Sequence, residues 1–111
     1  MPDFSNPFDG NSLERSVSKE EIVRMLRFAI AAEYEAVQLY QQIADAASDF
    51  PEIVKIMLDV ADEEKVHAGE FLELLKMIDP DEKTHYDEGE QEVAEKLDKN
   101  ARIVQQFLNR S

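Results

Sequence analysis

Cysteine is absent from the 111-residue chain. Its absence removes disulfides, thiolate metal sites and cysteine nucleophiles, and it leaves oxygen and nitrogen donors to hold any metal. No stretch rich in proline or glycine interrupts the middle of the chain, so one domain is expected. Basic residues are few, 12 against 25 acidic ones, for a net charge of −13. Such a chain repels nucleic-acid phosphates and anionic membrane surfaces and concentrates cations. No apolar run approaches the roughly 20 residues of a membrane span, and the opening "MPDFSNPFDGNS" has neither the basic nor the apolar region of a signal peptide. A soluble intracellular protein without nucleic-acid or membrane partners is expected.

What the chain has is helical periodicity, and the expected fold is all-α. Residues 1–17, with isolated Phe4, Phe8 and Leu13, offer no periodic face and read as an extended arm. Residues 18–79 read as a helical hairpin. Ser18 and Glu21 form a capping box that starts a helix running to about residue 47. In "SDFPE", Asp49 is placed to cap a second helix, with Glu52 at its third position and Pro51 in the first turn, where a missing N–H costs nothing. That helix should end at Asp79-Pro80, because a residue before proline is driven out of the α region. The short connection makes the two helices antiparallel neighbours. Residues 80–111 read as a polar linker, weakened by Gly89, and a C-terminal helix over about 90–109 carrying Val93, Leu97, Ala101, Val104 and Leu108.

The apolar seams are interrupted. On the first helix Ile22, Leu26, Ile30, Val37, Tyr40 and Ala44 recur in steps of three and four, with Glu33 among them. On the second, Ile53, Met57, Val60, Phe71, Leu74 and Ile78 form the matching row, broken by Glu64 and His67. Glu33 precedes the turn by about as many residues as Glu64 follows it, so antiparallel packing brings both to one level. A lone glutamate on such a face is ordinarily a snorkelling surface residue. Two carboxylates and an imidazole at one level are different, because buried like charges need something positive between them. A divalent metal is the simplest neutraliser; the donor set suits iron or manganese and also accepts zinc.

One chain supplies half of what a di-iron four-helix bundle requires, namely one Glu and one Glu-x-x-His. The sequence shows no internal repeat, so the other half is expected from a second copy, a two-fold dimer completing both bundle and centre. A second stripe on the second helix, Val54, Leu58, Ala61, Ala68 and Leu72, also exceeds what a lone hairpin can bury and should meet a partner surface.

The blocks "AAEYEAVQLYQQ" and "ADEEKVHAGEFLELL" resemble the encapsulated ferritins, half-sized members of the ferritin-like superfamily, over roughly residues 18–80. The resemblance implies a hairpin that dimerises into a ferritin-like four-helix bundle, dimers assembled into a decameric ring, and a location in the cytoplasm inside an encapsulin nanocompartment. It implies a ferroxidase that oxidises Fe(II) to Fe(III) at a di-iron centre at the dimer interface, with the encapsulin shell protein as partner and store. Its metal ligands carry over to Glu33, Glu64 and His67, its tyrosine next to the centre to Tyr40, and an iron-guiding carboxylate to Glu35. Ala32 and Leu39 depart from the family, which can have glutamate and tryptophan there. The ending "IVQQFLNRS" lacks the usual shell-targeting signal.

Other readings belong to other classes. A rubrerythrin-like peroxide reductase uses a similar centre, although the four-cysteine iron site that feeds it has no counterpart in this chain. A non-enzymatic helical assembly module stabilised by a structural metal is the other. Glu63 and Glu70 read first as a solvated face, His85 as a surface residue, and Met25, Met57 and Met77 as core filler.

Overall fold

Ser18 opens the first helix by the expected device. Its hydroxyl accepts a hydrogen bond from the Glu21 backbone N–H at 3.2 Å, and the Glu21 carboxylate accepts one from the Ser18 N–H at 3.3 Å. The computed structural model describes residues 16–98 and 101–110, so most of the arm expected over residues 1–17 lies outside the described residues. From the cap, α1 runs Lys19–Ala46 and α2 runs Pro51–Ile78.

The turn between them is closed by the Phe50 N–H donating to the Ala47 carbonyl at 2.8 Å. Pro51 takes the first helical position, which places Phe50, and not Asp49, at the capping position; the Ile53 and Val54 N–H groups donate to the Phe50 carbonyl at 3.0 and 3.1 Å. Proline's fixed φ sets the start of this helix one residue later than the Asp49 cap requires.

Val23, Ile30 and Leu75 form the core, with Leu26, Phe71, Leu72 and Ile78 packed against it. Ala44, Ala61 and Ala68 are buried as well. A simple register underlies this. Val23, Ile30, Val37 and Ala44 climb α1 in steps of seven while Leu75, Ala68, Ala61 and Val54 descend α2, each pair equally far in sequence from Asp49 and therefore on one level. The face of α2 differs here from the sequence reading. Ala61 and Ala68, expected to await a partner, face α1, whereas Ile53 and Leu74 of the expected seam stay 41% and 50% exposed. Periodicity gives α2 two adjacent apolar rows, and the row with alanines wins because small side chains let the helices approach closely.

The chain divides after Ile78 into a second unit. It contains α3, Pro80–Asp98, and α4, Ala101–Leu108. The stretch expected to be a polar linker is thus the first half of a helix. Asp79 caps it, its carboxylate accepting from the Glu82 N–H at 3.2 Å, with Pro80 again in first position. Thr84, Tyr86 and Gly89 are then carried by a run of good helix formers and by the Lys83–Asp87 ion pair at 2.7 Å. No described helix is long and apolar enough to cross a membrane.

Candidate metal centre

Glu33 lies three residues beyond the buried Ile30 on α1, and Glu64 three beyond the buried Ala61 on α2, so each points to the same side of the hairpin seam. His67 follows Glu64 by three residues and shares its face. The His67 Nδ1 sits 3.8 Å from Glu33 Oε2 and 3.7 Å from Glu64 Oε2. One ligand atom from each of the three residues lies within 4.8 Å of the other two. These spacings exceed hydrogen-bond length, so the groups converge without satisfying one another.

Burial sharpens the point. The Glu33 and Glu64 side chains are only 17% and 18% exposed, and Glu33 Oε2 is a buried oxygen that accepts no hydrogen bond from the described residues. An orphaned carboxylate oxygen beside a second carboxylate is costly unless a cation lies between them. Two hard carboxylate donors and one imidazole fit a divalent first-row metal, so the residues present suit iron. His67 is 47% exposed, so the cluster opens through its imidazole on one side of the hairpin.

The structure brings together Glu33, Glu64 and His67 and leaves the other expected site residues apart. Glu35 is exposed and, two residues from Glu33, lies on the opposite side of α1. Tyr40 is half-buried two turns along α1, level with Leu58 by the hairpin register and not with the carboxylates. Ala32, Leu39, Glu63 and Glu70 are exposed. His85 belongs to the second unit, between Asp81 Oδ2 and Glu88 Oε2 at 3.6 Å each, two-thirds exposed. Ile53, Val60, His67 and Leu74, all members of the row read from the sequence, recur every seven residues, so the imidazole interrupts an otherwise apolar outer row.

A profile of the rubrerythrin family matches residues 24–108. The chain belongs to the rubrerythrin family, whose fold is ferritin-like. This rubrerythrin-family chain is 45% identical over 82 residues, 74% of its own length and 24% of the relative's, to a ferritin-like-encapsulin shell fusion protein of Pyrococcus furiosus. Over 81 residues, 73% of its length and 61% of the relative's, it is 36% identical to the encapsulin nanocompartment cargo protein EncC of Myxococcus xanthus. It therefore spans about a quarter and about three fifths of these two curated relatives. No solved structure matches it.

Proposed function

We propose that this chain is a ferroxidase whose di-iron centre is completed by a second copy. The observation that carries the reading is the orphaned Glu33 Oε2 inside the Glu33, Glu64 and His67 cluster. Each chain offers half a ligand set on an open side of its hairpin, along an exposed row that is apolar apart from His67. A homodimer closing over this row shields Ile53 and Leu74 and sets two half-sites against each other. A decameric ring of such dimers would need further contacts outside this row.

Iron is the substrate. Two Fe(II) each give up one electron; dioxygen takes both electrons with two protons and leaves as hydrogen peroxide, and two Fe(III) remain as product. Glu33 and Glu64 would hold the ions as hard anionic donors that suit both oxidation states, and His67 through Nδ1, the nitrogen turned toward both carboxylates. Bound iron supplies the one-electron chemistry. The chain's share is to gather negative charge where cations arrive and to keep the carboxylates mostly out of water. The relatives are named as encapsulin cargo and as a fusion to an encapsulin shell, which supports a location inside such a compartment in the cytoplasm, with the shell protein as partner.

The family match favours a second reading, in which hydrogen peroxide takes the two electrons with two protons and leaves as two waters. Stopped-flow oxidation of Fe(II) by dioxygen and by peroxide tests both. Faster turnover with dioxygen, lost in Glu33→Ala, supports the ferroxidase; turnover with peroxide alone supports the second reading; neither sinks both.

A further inference from the structure

A groove on α1 faces away from the metal centre. Arg24, Arg27, Phe28 and Ala31 line it, an open hollow of about 360 Å³. Their spacing of three, four and seven residues puts all of them on one side of the helix, where Arg24 and Ala31 each stand one residue, about 100° of turn, beyond the buried Val23 and Ile30. Glu33, nine residues from Arg24, falls on the opposite side. Phe28 is half-buried while Arg24, Arg27 and Ala31 are exposed, so the groove has an apolar floor and a basic rim. Charge is uneven along this helix. The basic residues of α1, Lys19, Arg24 and Arg27, all lie in its first nine positions, and from Phe28 to Ala46 only Glu33, Glu35 and Asp45 are charged.

Residues 1–15, which lead into α1, lie outside the described residues, and their sequence matches the groove in chemistry. Phe8 is followed directly by Asp9, and the segment carries Asp3, Asp9 and Glu14 against Arg15 alone. It has no periodic face of its own to bury. Length permits the docking. Phe28 stands nine residues beyond the start of α1, a rise of about 14 Å, whereas the eight residues from Phe8 to Ser16 span up to roughly 26 Å when extended. We infer that this arm turns back along α1 and docks in the groove of its own chain, the Phe8 ring against Phe28 and Ala31 and the Asp9 carboxylate on Arg24. Pro7, beside Phe8, limits the freedom lost on docking. Ring contact between the phenylalanines adds to the burial, and the ion pair at the rim fixes the register of the arm. The contact needs neither metal nor a second copy.

The chain has no tryptophan, so Phe8→Trp places a lone fluorescent reporter on the arm of the full-length protein. Circular dichroism first establishes that helix content is kept. The expected emission is blue-shifted relative to a peptide of residues 1–15 carrying the same change, with acrylamide quenching reduced several-fold, and Arg24→Glu, at an exposed position, returns both to the peptide values. A second experiment reads which chain supplies the arm. Phe8→Cys and Ala31→Cys are combined in the otherwise cysteine-free chain, heavy and light isotopic forms are mixed, and a short bis-maleimide is added. Links within single chains are expected; pairs of one heavy and one light chain would place the arm on a second copy and overturn the inference. It is overturned as well if the emission matches that of the peptide, which leaves the groove to a foreign partner, or if the blue shift survives Arg24→Glu, which seats the arm elsewhere.

Discussion

His67 of α2 holds its Nδ1 3.8 Å from Glu33 Oε2 of α1, and that oxygen accepts no hydrogen bond from the described residues. The two side chains meet because the alanine-lined seam sets α1 and α2 on matching levels, and they remain unsatisfied because each faces an acceptor or donor just out of reach. The relationship joins fold to chemistry: the hairpin builds a pocket of negative charge and leaves it needing a cation.

Removing that charge should separate stability from binding. In Glu33→Gln, the metal-free protein is expected to be as stable as the parent or about 1 kcal/mol more so, since a buried unsatisfied charge is lost. The rise in melting temperature on adding Fe(II) anaerobically should vanish. Thermal melts with and without metal check both; an unchanged metal-induced rise would remove Glu33 from the ligand set.

Stoichiometry should follow the half-site logic. Native mass spectra after anaerobic Fe(II) are expected to show two irons per dimer, and none retained when Glu64 or His67 becomes alanine. One iron per isolated chain, undisturbed by these changes, would contradict a shared centre.

The outer row of α2 should govern assembly. Leu74→Glu, seven residues along the helix from His67, is expected to yield a smaller assembly than the parent in analytical ultracentrifugation and to lower oxidation by at least tenfold, because it places a charge on the face a second copy would cover. Dimers at parental strength would move the interface elsewhere.

Leu75 is fully buried at the head of the seam. Leu75→Ala should cost about 2–5 kcal/mol in chemical denaturation, by lost transfer energy and the cavity left behind. A loss under roughly 1 kcal/mol would mean that the seam closes by another register.

Gly89 stands in mid-helix in α3, and a Cβ there would meet nothing within 4 Å. Gly89→Ala should therefore raise the helix content of the second unit and stabilise it by about 0.5–1 kcal/mol. Circular dichroism on heating checks this, and a fall in stability would show that the open space around Gly89 is needed by another surface.

By itself the sequence determined the hairpin, its cap at Ser18, the absence of thiol chemistry, and the matching levels of Glu33 and Glu64. These follow from local rules: a capping box, a proline start, 1.5 Å of rise per residue and an even count on either side of a short turn. It also carried the family resemblance in its two motif blocks. Only the tertiary structure decided which of two apolar rows on α2 meets α1, because both have helical spacing and the choice rests on how closely alanine lets helices pack. It alone decided that His67 stands at an exposed edge while Glu33 Oε2 is buried and accepts no hydrogen bond from the described residues, since burial depends on what lies opposite. And it made a helix of residues 80–89, whose polar composition hid a capped start that only the hydrogen bonds accepted by Asp79 reveal.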